Sequence, residues 1–380
     1  MASEVILKLV VCFLVGASTR GVRGEDPYLF FTWNVTYGTI SPLGVPQQAI
    51  LINVNSRPLI PVPYDEPADD YTVLIGDWYT KSHKELRGFL DSGRPLGRPD
   101  GVLINGKAGK VGTKQEPLFT MEPGKTYSYT NGKGEASPEL PPAPVGWAWS
   151  LNQFRTFRWN LTASAARPNP QGSYHYGAIN ITRTIRLVNG VSRANGKLRY
   201  GFNSISHTDP TTPLKLAEYF NMADRVFKYD VMKDEPEKVT DLSVQPNVVN
   251  MTFRNFVEII FENHEKSMQS YHLDGYSFFA VAIEPGTWSP EKRMNYNLLD
   301  AISRHTIQVF PKSWAAILLT FDNAGMWNIR SEIWERTYLG EQLYASILSP
   351  EKSLRDEYNI PENTLLCGIV QGLPKTNSYT

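Results

Sequence analysis

Cysteine is scarce in this chain, with two among 380 residues, Cys12 and Cys367. Cys12 falls in a leader described below, so the mature chain keeps Cys367 alone. A blue-copper centre needs one Cys thiolate and two His around a single ion, because soft sulfur and imidazole together select copper. Cys367 sits in a C-terminal tail with no His near it, so no such set surrounds the thiol. A lone thiol in an oxidising compartment has two readings: an intermolecular bridge or lost partner, or a small buried hydrophobe. Histidine is scarce too. None of His83, His175, His207, His264, His272 and His305 forms a His-x-His pair, the pattern from which oxygen-reducing copper clusters draw. His264 and His272 are nearest in sequence and are the pair to weigh for metal.

Net charge is absent as well. Lys and Arg number 38, as do Asp and Glu, which removes any compositional case for nucleic acid or an anionic membrane surface. No Gly-x-Ser-x-Gly elbow presents a serine nucleophile, and no His-Glu-x-x-His places zinc ligands on one helix face. The run Asn105-Gly-Lys-Ala-Gly-Lys-Val-Gly112 has the glycines and lysines of a phosphate cradle. It lacks the Ser or Thr after Lys that the Walker spacing requires, and reads as a solvated turn. Carboxylates such as Asp300 and Glu332 are plausible acids, but sequence alone does not pair them.

What is present points to export. Lys8, an apolar run from Leu9 to Ala17, and Val22 and Gly24 at the −3 and −1 positions form a signal peptide over residues 1–24, with Glu25 as the mature start. No later segment reaches the roughly 20 apolar residues of a membrane span, and the polar end Pro374–Thr380 carries no lipid-anchor signal. Asn34, Asn160, Asn180 and Asn250 each begin an Asn-x-Thr sequon, as expected of a secreted glycoprotein.

Aromatic residues make up 12 % of the chain, and Gly and Pro are scattered, which suits short strands joined by tight turns in an all-β fold. Strands are expected at 28–40, 47–52, 71–80, 157–163, 178–188, 244–261, 276–283, 306–321 and 342–348. Asn180, Thr182, Thr184 and Arg186 share one face and Ile181, Ile185 and Leu187 the other, so the Asn180 sequon is expected to be exposed. One helix is marked by Ser82 and Glu85 as a capping box, by Leu86, Phe89 and Leu90 as an apolar stripe, and by Gly93 as its stop. A second is expected from Leu214 to Asn221. Proline-rich stretches at 57–70 and 136–145 read as linkers, leaving pieces at 25–56, 71–135 and 146–350 and a tail at 351–380. A two-sheet sandwich takes about 100 residues, so the third piece is generous and the first two are short.

The segments Asp26-Pro-Tyr-Leu-Phe-Phe-Thr-Trp-Asn-Val-Thr36, Tyr71-Thr-Val-Leu-Ile-Gly-Asp-Trp-Tyr79, Asn323-Ala-Gly-Met-Trp-Asn-Ile-Arg330 and Leu339-Gly-Glu-Gln-Leu-Tyr344 carry a resemblance over nearly the whole mature chain. They are similar to plant multicopper-oxidase-like proteins known as L-ascorbate oxidase homologues, the skewed-growth and pollen-type members, some also labelled pectinesterase-like. The resemblance implies cupredoxin-like Greek-key β-sandwiches, here one complete C-terminal domain preceded by two incomplete ones. It also implies secretion to the apoplast or cell wall and a link to cell expansion or pollen-tube growth. The pectinesterase label finds no support, because that class is a β-helix and this chain has no internal repeat.

Active members of the family carry His-Pro-x-His-Leu-His-Gly, and the similar segment here is Gln269-Ser-Tyr-His272-Leu-Asp274-Gly275. Their Gly-x-Trp-x-x-His-Cys-His-x-x-x-His aligns with Gly325 to Arg336, which puts Ser331 at the thiolate position and Arg330, Glu332 and Arg336 at histidine positions. The resemblance thus assigns copper-ligand positions to Gln269, His272, Asp274, Arg330, Ser331, Glu332 and Arg336 and leaves one histidine among them. Copper, the cofactor of the active relatives, is not expected here, because a hydroxyl and two guanidinium groups do not hold it. Arg330, Glu332, Arg336 and Asp274 are expected to form one charged network in its place. The chain also passes from Asn53 almost directly to the Arg57 linker, and from Tyr129 to Gly132, where relatives continue their first and second domains. The family's C-terminal Cys bridges to a first-domain Cys in that missing stretch, which implies that Cys367 has lost its partner.

The expected function is that of a non-catalytic cell-wall glycoprotein, with cell-wall polysaccharide or apoplastic proteins as partners. The alternative is a copper-dependent oxidoreductase of the L-ascorbate oxidase type. Carbohydrate binding through exposed Trp288, Trp314 and Trp327 is a third reading.

Overall fold

The computed structural model describes residues 34–40, 47–53, 68–71, 73, 75–108, 119–125, 127–129, 176–194, 196–237, 241–298 and 301–379. The leader, the expected strand at 157–163 with Asn160, His175, Asp300 and most of both linkers lie outside them. The chain divides into two compact units, one of residues 1–82 and 99–136, the other of 83–98 and 137–380.

In the first unit β1 (Asn34–Ile40) and β2 (Gln47–Asn53) form an antiparallel hairpin. β3 (Asp69–Tyr71) runs parallel to β7 (Tyr127–Tyr129). β4 (Ile75–Trp78), β5 (Gly101–Ile104) and β6 (Lys107–Ala108) make a three-stranded antiparallel sheet. The turn from β5 to β6 sits on Asn105 and Gly106, both at positive φ, as an Asn-Gly hairpin turn requires. The expected solvated turn thus begins as a hairpin. Leu103 is buried, while Ile75 and Val102 are exposed, so β4 and β5 cover little apolar surface.

The second unit begins with α1 (His83–Asp91), the helix marked in the sequence. Gly93 stands at φ +75°, its N–H donates to Leu90 O and that of Arg94 to Phe89 O, so the glycine closes the helix as read. The strands follow in order: β8 (Arg183–Ala194), β9 (Lys197–Phe202), β10 (Ile205–Ser206), β11 (Ser243–Val244), β12 (Val248–Met251), β13 (Phe256–Asn263) and β14 (Gln269–Leu273). β15 (Phe278–Pro285), β16 (Ser303–Arg304), β17 (Thr306–Val309), β18 (Ser313–Thr320), β19 (Gly325–Ser331) and β20 (Gln342–Ile347) complete them. The second expected helix is α2 (Leu214–Tyr219), which stops before Asn221, a residue at positive φ. A short α3 (Trp334–Tyr338) joins β19 to β20.

These strands build two sheets, eight strands in the order β11-β10-β9-β8-β13-β18-β15-β16 and five in the order β12-β20-β19-β14-β17. Neighbours that are far apart in sequence, such as β8 with β13 and β12 with β20, give the Greek-key connectivity expected of a cupredoxin-like sandwich. The core between the sheets joins Ile185, Ile259, Phe261, Ala315 and Ile317 of one to Tyr271, Leu273, Ile329 and Leu343 of the other. Each large side chain so buried contributes roughly 1.5–3 kcal/mol.

A second apolar cluster, with Tyr176, Phe256, Ile260, Phe279, Trp288, Trp314 and Leu318, covers the opposite face of the eight-stranded sheet. β13 and β18 are therefore enclosed on both faces, and every residue of β13 is buried. Two of those residues are carboxylates. Glu258 accepts hydrogen bonds from Arg293 Nε at 3.0 Å, Tyr296 Oη at 2.8 Å and Thr184 Oγ1 at 2.7 Å. Glu262 accepts from Arg186 Nη2 at 2.8 Å and contacts His264 Nε2 at 2.9 Å. Such satisfied pairing is what makes a buried charge tolerable.

Several expectations are corrected by this arrangement. The run 244–261 is three strands, because Pro246 interrupts it and Arg254 turns at φ +64°. The run 306–321 is two, broken at Pro311 and at Lys312, which stands at φ +52°. β9, β14 and β19 were not expected from the pattern. Trp288 and Trp314 are core residues at 5 % and 0 % exposure, so neither offers a surface to a sugar. Trp327 is half-buried and packs over Gly275, where even a Cβ would lie 2.3 Å from the indole. Asn180 and Asn250 are exposed, whereas Asn34 opens β1. Cys367 is exposed and free, which overturns its reading as a buried hydrophobe.

Candidate functional site

Two strands carry the positions that the resemblance assigns to copper. β14 and β19 are antiparallel neighbours in the five-stranded sheet, with Tyr271 opposite Ser331, His272 opposite Arg330 and Leu273 opposite Ile329. Because side chains alternate along a strand, this register splits the positions between two faces. Gln269, Tyr271 and Ser331 point into the sandwich and are fully or nearly fully buried. His272, Asp274 and Arg330 lie on the opposite face, all partly exposed.

On that outer face Asp274 is the hub. Its Oδ2 accepts from Arg330 Nη1 at 2.7 Å, and its Oδ1 meets His272 Nε2 at 3.0 Å. Glu332 adds its charge, with Oε1 3.6 Å from Arg330 Nη2. The other nitrogen of His272, Nδ1, lies 2.7 Å from Thr306 Oγ1. Burial, reinforced by the Arg330 cation, pushes the His272 imidazole below its usual range. A neutral ring with its proton on Nε2, donated to Asp274, and with Nδ1 accepting from Thr306 satisfies both contacts. Neither nitrogen is then free for a metal. His264 is held by Glu262 directly after β13, so the pair weighed from sequence is not a pair in the fold. The imidazole next to His272 is instead His305, ring centroids 5.3 Å apart, beside a cavity of about 600 Å³ walled by Tyr276 and Asp322.

The inner face holds a different group. Arg336, in α3, donates from Nη1 to Glu341 Oε2 at 3.0 Å, bonds Glu265 through Nη2, and lies over the Tyr200 ring at 4.4 Å. Glu341 is fully buried and also accepts from Tyr271 Oη at 2.8 Å. Ser331 contributes its N–H to Glu341 O at 3.1 Å, and its own Oγ accepts from Ile333 N–H at 3.2 Å. Gln269 donates to Ser267 Oγ at 2.9 Å. The single charged network expected from sequence is therefore two networks, and Arg336 belongs to the inner one. Glu265, Glu341 and Tyr271, which complete it, were missed by sequence reasoning.

Burial drives the Glu341 carboxyl up to about 7, against the opposing pull of Arg336 and of the Tyr271 hydroxyl. The folded protein thus holds a proton that the unfolded chain releases between about pH 4.5 and about pH 7. This contribution to stability is complete below that window and is lost as pH rises through it. Urea unfolding is expected to show a Glu341→Gln variant gaining on the parent across the window, at up to about 1.4 kcal/mol per pH unit. A difference between the two proteins that is flat with pH would contradict this assignment.

Two family models, both described as multicopper oxidase, match residues 69–130 and 211–353. The chain is 48 % identical to an L-ascorbate oxidase homolog of Brassica napus, covering 98 % of each chain. The chain belongs to the multicopper oxidase family. A second L-ascorbate oxidase homolog, from Nicotiana tabacum, is 47 % identical with 98 % of each chain covered. The monocopper oxidase-like protein SKU5 of Arabidopsis thaliana is 35 % identical, over 85 % of this chain and 71 % of that protein. The Brassica alignment runs over 546 positions against 380 residues here, so a large internal share of the relative has no counterpart in this chain.

Membership in this family makes copper the implied cofactor, and the residues do not fit it. The side chains grouped with the thiolate position are an amide, a phenol, a guanidinium and a carboxylate, and the guanidinium is bonded to two acids. A copper ion there would meet a fixed positive charge in place of imidazole and sulfur. On the outer face the one imidazole is committed to Asp274 and Thr306. Among the described residues no three His, Cys, Asp or Glu side chains converge as a metal-ligand group.

Proposed function

We propose that this protein is a secreted, non-catalytic member of the multicopper oxidase family, a cell-wall or apoplastic glycoprotein in which an ion pair fills the former copper pocket. The observation that carries this reading is the inner group, where Arg336 bonds Glu265 and Glu341 beside the Ser331 thiolate position. The exposed sequons at Asn180 and Asn250 support export and glycosylation. Among the described residues no helix is long and apolar enough to cross a membrane. We read residues 146–350 as the complete cupredoxin domain, and 25–56 and 71–135 as incomplete first and second domains. The resemblance to skewed-growth and pollen-type proteins supports a role in cell expansion or pollen-tube growth.

The competing reading, an oxidase of the L-ascorbate type, makes an opposite prediction. Protein secreted from a eukaryotic host with copper in the medium is expected to retain far less than one copper per chain by mass spectrometry. It is also expected to leave the oxygen uptake of an ascorbate solution at the blank rate. Stoichiometric copper, or uptake that tracks protein concentration, would restore the oxidase reading.

A further inference from the structure

Among the described residues of the second unit, the most exposed indole stands beside an unmatched cation. Trp334, in α3, is 68 % exposed, and Tyr338, four residues on and thus on the same helix face, is 40 % exposed. They flank a groove of about 420 Å³ whose wall includes Lys197, Arg199, Thr208 and Asp209. Lys197 already has an anion, since it pairs with Asp91, whose carboxylate also accepts from Tyr338 Oη at 2.9 Å. Arg199 has none. Among the described residues its guanidinium makes no ion pair and no hydrogen bond, and its Nε is buried without an acceptor. A half-buried guanidinium left without an acceptor is a desolvated charge awaiting one.

Asp209 supplies the groove with an acceptor. His207 is 2 % exposed, and its Nδ1 accepts from Asn247 N–H at 3.0 Å, which puts the ring proton on Nε2. That proton is donated to Asp209 Oδ1 at 3.1 Å and holds an otherwise exposed carboxylate at the groove. The groove therefore presents the exposed Trp334 indole, one unpaired cation and the fixed Asp209 carboxylate as an acceptor for hydroxyl groups, while the Tyr338 ring is covered by the Lys197 ammonium at 4.9 Å. A rigid sugar ring with an apolar C–H face, a carboxylate and several hydroxyls uses all three at once. An acidic peptide offers the charge without the flat face, and a neutral sugar offers the face without the charge.

We propose that this groove binds a uronate-containing oligosaccharide, the sugar ring stacked on Trp334 and its carboxylate on Arg199. The proposal deepens the non-catalytic reading above by naming its partner class. The test is calorimetric titration of the full-length secreted protein with an oligogalacturonate, its methyl ester, a cello-oligosaccharide of equal length and polyglutamate. The oligogalacturonate is expected to bind, and the other three at least about tenfold more weakly. Trp334→Ala and Arg199→Met are each expected to weaken oligogalacturonate binding by about tenfold or more while melting with the parent. Trp334 is too exposed to support the core, so its variant reports on binding even where Arg199→Met loses stability. No binding of oligogalacturonate, equal binding of any of the other three probes, or unchanged binding by Trp334→Ala would overturn the assignment. Copper measured on the same sample separates the two proposals, because copper-loaded protein that binds the sugar sinks the non-catalytic reading alone.

Discussion

Replacing Arg336 with Ala is expected to remove about 3–5 kcal/mol of unfolding free energy above pH 7, where Glu341 is charged, much of what holds an ordinary domain folded. The cost follows from what the side chain leaves behind. Arg336 is nearly buried, and its guanidinium serves Glu341, itself fully enclosed, together with Glu265. Without the cation, Glu341 keeps only the Tyr271 hydroxyl and must either stay charged in a dry pocket or take up a proton. The second route is easier at low pH, so the loss should shrink on acidification. Removing Glu341 instead is milder, because Arg336 retains the partly exposed Glu265. The double variant Arg336→Met with Glu341→Leu removes both charges while keeping volume, and is expected to match or exceed the parent in stability. Urea unfolding followed by tryptophan fluorescence at two pH values measures all four proteins. If Arg336→Ala and the double variant unfold at the same urea concentration, the pair is not the coupled unit described here.

How much of this was legible beforehand depends on sequence separation. From the sequence, the resemblance assigns altered copper positions to the segments from Gln269 to Gly275 and from Gly325 to Arg336. Strand alternation then separates Gln269 and Tyr271 from His272 and Asp274 once β14 is known to be a strand. β14 has five residues and β19 opens on a glycine, too little pattern to announce either. Partners were harder still. Glu265 lies 71 residues from Arg336, and nothing local distinguishes it from a surface acid. Trp288 and Trp314 were misread for a similar reason, since the second apolar cluster encloses a face of the eight-stranded sheet that a simple sandwich would leave wet. Among the described residues the exposed aromatics include Trp334 and Tyr338, on a helix too short to show periodicity.

The inner group can also be run backwards. Gln269→His, Ser331→Cys and Arg336→His, combined with Glu341→Met to withdraw the buried acid, restore two imidazoles and a thiolate around one point, with a weak thioether beside them. The four positions belong to one buried face and to the short turn that closes it, and the Ser331 N–H is already tied to Glu341 O, so the backbone needs no new course. This variant is expected to take up about one copper per chain and to gain the intense visible absorption of a Cu–thiolate bond, where the parent has neither. It is not expected to consume oxygen. The outer face would still present Arg330, Asp274 and Glu332 around a single imidazole, which is not an oxygen-reducing set. Uptake of copper without colour would mean that the imidazoles bind while the thiolate stands apart, and would place Ser331 outside the former pocket. Colour accompanied by ascorbate-dependent oxygen uptake would show that the remaining residues supply more of an oxidase than their chemistry indicates. The parent protein with Cys367→Ser, carried alongside, keeps the exposed thiol from being mistaken for the new ligand.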